Sequence, residues 1–169
     1  MSQLFKGRCG AGVVIAAAMA LSPASVRAIE DKPLPAFSVT ASDGSAVTST
    51  ALNAAPQYVL IYVAPNCRPC DRIVELLKEW KSPAMSARVV FVVAASGANA
   101  AAYVGARLPP EAGAPVVYGD ESGAAYRALK LTGTPVLIGV RAGRTVWSVS
   151  GVFNDGTTVE SVVRTWITY

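Results

Sequence analysis

Tyr58-Val59-Leu60-Ile61-Tyr62-Val63-Ala64-Pro65-Asn66-Cys67-Arg68-Pro69-Cys70 is the stretch that decides the fold. Its first half, residues 58–63, is a continuous apolar and β-prone run, the pattern of a central strand covered on both faces. Its second half passes through Pro65 and Asn66 into a Cys-x-x-Cys pair. From Pro69 the period becomes helical. Ile73, Leu76, Leu77 and Trp80 recur at i, i+3, i+4 and i+7, with Asp71, Arg72, Glu75, Lys78 and Glu79 largely on the other side. Ser82-Pro83 closes that helix, and residues 88–94 are a second run apolar on both faces. Strand, helix and buried strand make a βαβ unit, whose crossover is right-handed and whose strands are parallel.

Working outward, residues 37–40 alternate as a short strand, Asp43-Gly44-Ser45 is a turn, and residues 46–48 pair back. Residues 50–57 hold at most one helical turn, ended by Pro56. Downstream, residues 99–107 predict an Ala-rich helix ended by Pro109-Pro110, and Val116-Val117-Tyr118 a short strand. Residues 122–131 predict a helix capped by Ser122, with Ala125, Tyr126 and Leu129 inward. Thr132-Gly133-Thr134-Pro135 is a turn, and residues 136–140 and 145–149 form a hairpin across Ala142-Gly143. A last helix follows Asp155-Gly156-Thr157, with Val159, Val162, Val163 and Trp166 on one side. No repeat or linker divides the chain, so the class is α/β and the core is that of one domain.

The first 28 residues read differently. Lys6 and Arg8 precede an apolar run over residues 13–21, and Val26 and Ala28 meet the small-x-small rule for cleavage after Ala28. This predicts a signal peptide over residues 1–28, a mature domain over residues 29–169, and a periplasmic or otherwise exported location. An uncleaved anchor is the alternative, although the run is shorter than the roughly 20 residues that span a bilayer. The leader holds Lys6, Arg8 and Arg27 and no acid. The chain's 15 basic and 11 acidic residues therefore become 12 and 11 after cleavage, and the net charge falls from +4 to +1. With no basic stripe left, nucleic acid is not an expected partner.

Cleavage also removes Cys9, leaving Cys67 and Cys70 as the thiols of the exported domain. A staple this short gains little loop-closure entropy, so the pair points to redox chemistry more than to stabilisation. Cys67 stands at the start of a helix, where free N–H groups, the helix dipole and neighbouring Arg68 favour a thiolate. In Cys-x-x-Cys the first thiol can fall from about 8.5 to about 3.5–7.5. Cys67 is the expected nucleophile and Cys70, one turn further in, the resolving thiol. Pro69 suits the first helical turn.

These residues together with Gly133-Thr134-Pro135 resemble the thioredoxin-like superfamily, over most of the mature chain. The spacing from Cys70 to Pro135 and the segment Asp120-Glu121-Ser122-Gly123 look more like its exported TlpA/ResA/CcmG-type branch. The resemblance implies a mixed β-sheet, part parallel and part antiparallel, flanked by helices on both faces. It implies a cis Pro135 whose turn packs against the disulfide, with Thr134 and Pro135 shaping the substrate site beside Arg68 and Pro69. It also implies thiol or disulfide proteins as substrates, an exported or membrane redox partner, and no cofactor. Two positions depart from the pattern. Asn66 stands where Trp is usual before the first Cys. The buried acid that assists proton transfer is absent from its usual places, which hold Ile61 and Ile73. No proton-transfer group is assigned.

Other readings fit less well. With no His in the chain, a zinc, copper or c-type haem site lacks its ligands. A peroxiredoxin needs a Thr and a Pro further ahead of its Cys than Pro65. A passive disulfide, or a partner-binding or assembly factor with little redox turnover, stays open. Trp80 and Trp166 are expected in the core, Trp147 there or on a partner-facing surface.

Overall fold

The computed structural model describes residues 26–27, 31–79, 86–108, 115–153 and 156–168. The leader's basic and apolar segments, Trp80, Ser82-Pro83 and Pro109-Pro110 lie outside these residues. The strands are β1 (Val26–Arg27), β2 (Lys32–Pro33), β3 (Ser38–Thr40), β4 (Ala46–Thr48), β5 (Gln57–Val63), β6 (Val89–Val93), β7 (Val116–Gly119), β8 (Val136–Arg141) and β9 (Arg144–Ser150). The helices are α1 (Arg68–Leu76), α2 (Gly97–Gly105), α3 (Ala124–Ala128) and α4 (Gly156–Thr168), with single 3-10 turns at Ser49–Ala51 and Leu77–Glu79.

One sheet carries the order β1-β9-β8-β5-β6-β7-β3-β4, and β2 also lies on β9. β5 is parallel to β6, with Ile61 opposite Phe91, and antiparallel to β8, with Ile61 opposite Leu137. β6 and β7 continue the parallel half, while β8 and β9 form the hairpin. Every residue of β5 and β6 is buried, as two continuous apolar runs require.

Side chains alternate across a strand, so β5 feeds two cores. Val59, Ile61 and Val63 join Cys70, Ile73, Val74, Leu76, Phe91, Ala100, Val104, Val159 and Val163, which places α1, α2 and α4 on one face. Tyr58, Leu60 and Tyr62 join Phe37, Val39, Leu52, Val92, Ile138 and Ala125 on the other, under α3 and the β3–β4 hairpin. Helix α1 buries Cys70, Ile73, Val74 and Leu76. Fully burying a side chain of this size contributes about 1.5–3 kcal/mol relative to exposure, which is what seats the helix against β5.

Trp147 and Trp166 meet edge to face at 5.7 Å, and the Trp166 indole donates to the Tyr58 carbonyl at 3.0 Å. Trp147 lies so close over Gly139 that a Cβ there would collide with its indole. The hairpin tryptophan is therefore a packing residue. Helix boundaries shift from the sequence expectation. Helix α2 starts at Gly97, because the Ser96 hydroxyl caps it by accepting from Asn99 N at 3.4 Å. Helix α3 is a short Ala124–Ala128 segment preceded by Gly123 in the left-handed region, at φ 69°. The expected cap, Ser122, accepts from Ala124 N at 3.3 Å, while Asp120 takes the next two donors.

Candidate functional site

β5 ends at Val63, and Asn66 turns the chain into α1 with φ 64°. Asn tolerates this left-handed conformation better than most side chains, because its short amide can bond locally. A residue fitted to that turn thus stands where the resemblance expects Trp. Cys67 is the N-cap of α1, with extended backbone, and Pro69 lies in the first turn. The Cys67 carbonyl accepts from Cys70 N at 2.8 Å and Asp71 N at 3.1 Å.

Cys67 and Cys70 are joined as a disulfide, with Cα atoms 5.2 Å apart. Cys70 is fully buried in the apolar cluster of Ile61, Ile73 and Val63, while Cys67 is half-buried at its edge. Arg68 and Asn66 are exposed, and Pro69 is half-buried. The Thr134–Pro135 peptide bond is cis, and Pro135 is buried. Thr134 reaches the first sulfur twice: its Oγ1 lies 3.5 Å and its carbonyl oxygen 3.8 Å from Cys67 Sγ. The two separate stretches singled out in the sequence therefore meet at Cys67.

Two groups around this site were not assigned from the sequence. The first is a clamp on the opening turn of α1. The Asp71 carboxylate accepts from the hydroxyl of Tyr103 on α2 at 2.7 Å and pairs with Arg107, just after that helix, at 2.9 Å. The Arg107 guanidinium also lies over the Tyr103 ring at 4.0 Å. Burial, followed by the bond to Asp71, pushes the Tyr103 phenol well above its ordinary range. Asp71 is thus spoken for by structure. The (i, i+4) spacing of Tyr103 and Arg107 was the available signal, but nothing in the sequence says what they face.

The second group lies across the sheet. Asp120, at the end of β7, is 2% exposed. Its carboxylate accepts from the Tyr62 hydroxyl at 2.9 Å, from Ala125 N at 3.1 Å and from Tyr126 N at 3.0 Å. Burial first, and then this bond, drive the Tyr62 phenol far above its usual value. A solvent-open cleft of about 290 Å³ runs from Thr134 over Tyr62, Asp120 and Tyr126, with Ala64, Ala94 and Gly123 as its small-residue walls and Glu121 and Arg127 at its rim. Asp120 is a buried acid near the active-site loop. It belongs to the face opposite Cys70, so it is not the missing acid beneath the second thiol.

No group of His, Cys, Asp and Glu suited to a metal ion occurs among the described residues, and no helix among them is long and apolar enough to cross a membrane. No family model matches the chain, and no curated protein matches it. Solved structures do. A Chlorobium tepidum protein named for thiol:disulfide interchange, DsbE, superposes with TM-score 0.63 at 18% identity, over 83% of this chain and 99% of its own. The fold is thioredoxin-like. A secreted Mycobacterium tuberculosis disulfide oxidoreductase homologous to E. coli DsbE gives 0.59 at 18%, over 76% and 95%. An uncharacterised thioredoxin-like protein of Porphyromonas gingivalis gives 0.59 at 25%, over 80% and 92%. The thioredoxin-like arrangement explains why a strand end, a helix start and a proline turn converge. β5 and β8 are neighbours, so the loop after one and the loop before the other share one edge of the sheet.

Proposed function

We propose that this chain is an exported thiol–disulfide oxidoreductase acting on protein substrates. Cys67 is the attacking thiol and Cys70 the resolving thiol. The observation that carries this is the graded exposure of a bonded pair at a helix N-terminus, with Cys70 sealed and Cys67 at the surface beside Thr134. In the reducing direction, the Cys67 thiolate attacks a client disulfide. A Cys67–client bond forms, and the first client sulfur leaves as thiolate. The Cys70 thiolate then attacks Cys67 Sγ, forms the Cys67–Cys70 disulfide and releases the second client thiol. Two electrons pass to the client, and the reverse sequence oxidises it. Helix N-terminal donors and Arg68 support the leaving and attacking thiolate. Thr134 and Pro135 shape the surface on which the client chain lies, and Pro69 holds the first turn.

Reversible titration of the pair against glutathione is the test. A dithiol–disulfide couple that disappears in Cys67→Ser is expected, and a Cys70→Ser chain should accumulate mixed disulfides. A chain with no reversible couple, whose Cys67→Ser form still supports its partner's maturation, would be an assembly factor instead. One observation favours that second reading. The two positions where the resemblance expects a buried acid hold Ile61 and Ile73, and both are fully buried in the same apolar cluster as Cys70.

Export rests on the leader pattern of residues 1–28, with a soluble mature domain and a membrane or exported redox partner. Cleavage after Ala28 would remove β1, whose Val26 pairs with Val149. The edge would then be held by β2 and by Arg144, which binds the Asp31 carboxylate and carbonyl, each at 2.7 Å. N-terminal mass measurement on the exported chain should find Ile29 first.

A further inference from the structure

A second cavity, of about 280 Å³, lies between the β2 arm, the end of α3 and the β8–β9 hairpin, and shares no lining residue with the site around Cys67. Ser148 stands opposite Ile138 and Thr145 opposite Val140, so these hydroxyl residues face the α3 side of the sheet with the core that holds Ile138 and Val140. Ile138 and Thr145 are buried, and the Thr145 hydroxyl is spent on the Lys32 carbonyl at 3.2 Å. The apolar surface that water still reaches comes from half-buried Leu129, Leu131 and Pro35 and from exposed Pro33. Among the described residues no aromatic ring and no acid lines the cavity. The volume falls just below the range of about 300–1,000 Å³ usual for drug-sized ligands, so its occupant is small.

The charge on the cavity has one sign. Its charged lining residues are Lys32 and Lys130, both exposed. Asp31, Asp71 and Glu160 pair with arginines, and Lys130 has no ion pair among the described residues. The backbone at Lys130 is itself unusual. Lys130 N donates to the Arg127 carbonyl at 3.0 Å and Leu131 N to the Tyr126 carbonyl at 3.1 Å, which closes α3 with the paired bonds of a Schellman turn. That turn needs a left-handed residue, ordinarily Gly, and Lys130 adopts it at φ 53°. The chain thus accepts backbone strain and gains a cation beside an apolar hollow. We propose that this cavity binds a medium-chain aliphatic carboxylate, with the alkyl chain on Leu129, Leu131 and Pro35 and the carboxylate met by Lys130. Aliphatic walls without a ring to stack on favour an alkyl chain over an aromatic acid, and a lining of two lysines without an acid favours an anionic head over a neutral or cationic one.

The test is calorimetric titration of the full chain with butanoate, hexanoate and octanoate, below the concentrations at which they form micelles. Octanoate should saturate a single site, and each added CH₂ along the series should tighten binding by about fourfold, the gain expected for a methylene that leaves water. Octanol and octylamine, which keep the chain and change the head, should bind more weakly than octanoate. Lys130→Gly should weaken octanoate by up to about fivefold, the range of an exposed ion pair, and bring its affinity to that of octanol. Gly suits φ 53°, so the same variant should unfold at a denaturant concentration no lower than the parent chain. Ser148→Phe fills the cavity from β9 and should abolish binding. Absence of saturable octanoate binding overturns the proposal, as does equal binding of octanol or octylamine by the parent chain. Octanoate affinity that is unchanged in either folded variant also overturns it. A chain that ignores octanoate but sediments with vesicles of anionic lipid would be reading a membrane surface, and the proposal would fall.

Discussion

Ile61 and Tyr62 are adjacent in β5, yet they face opposite kinds of interior. Ile61 looks into the apolar cluster that also holds Cys70, Ile73 and Val63, all of them fully buried. Tyr62 looks into the cluster under α3, where its hydroxyl meets Asp120. One side of the sheet is dry around the redox pair; the other holds a satisfied polar network that anchors a helix. The difference teaches that a buried acid near a reactive centre is not automatically part of its chemistry. Asp120 closes the start of a five-residue helix that has little stability of its own, and the sheet stands between it and Cys70.

The sharpest way to break this contrast is to put a charge on the dry side. Ile73→Asp buries a carboxylate among apolar neighbours with no donor, and should cost about 3–5 kcal/mol, read by denaturant unfolding. Next comes removal of the acid on the polar side. Asp120→Ala strands the Tyr62 hydroxyl and the Ala125 and Tyr126 amides, and about 3 kcal/mol of stability should be lost. Asp120→Asn, which keeps an acceptor oxygen, should lose less. Equal tolerance of both Asp120 variants would mean that the network is ornamental to α3.

A smaller effect is expected at the clamp, where the Cys70 side does carry a charge close to the active turn. Arg107→Met should cost about 1 kcal/mol, because the ion pair is only partly buried and the ring contact is lost with it. It should also raise the pH at which the Cys67 thiolate appears, followed by ultraviolet absorbance, because the Asp71 charge is no longer neutralised beside that turn. In an Asp71→Asn background the same substitution should leave the thiolate titration where it was. A shift that persists there would show that Arg107 acts on Cys67 without Asp71.

The smallest effect at neutral pH concerns the buried phenols. Tyr58 is pushed up to about 12, chiefly by burial, and Tyr62 higher still. Their folded forms keep a proton that the unfolded chain gives up near pH 10. Their contribution is therefore complete below about pH 10 and is lost as pH rises through 10 toward 12 and beyond, with a slope of about 1.4 kcal/mol per pH unit for each phenol. Tyr62→Phe should flatten that alkaline decline by one proton, as measured by unfolding at stepped pH.

Much of the architecture was legible because its signals are local. Residues 58–63 and 89–93 are apolar on both faces, so each could only be an interior strand. The period from Ile73 to Leu77 could only be a helix with one buried side. Cys-x-x-Cys after a strand, together with a distant Thr-Pro before another, was enough to expect the meeting that the contacts between Thr134 and Cys67 Sγ record. Helix ends were less legible. Ser96 and Asp120 cap their helices from just outside the periodic segments, where a polar side chain also looks like an ordinary loop residue.

What the sequence determined by itself was the pair of sulfurs, their order of exposure and the dry setting of Ile61 and Ile73, because each follows from helical or strand phase. What only tertiary structure decided was the company these residues keep. Tyr103 on α2 and Arg107 just beyond it reach Asp71 on α1, and Tyr62 on β5 reaches Asp120 after β7 past the intervening β6. Such partners are 32, 36 and 58 residues apart. Their pairing depends on how whole elements pack, and no local period encodes it.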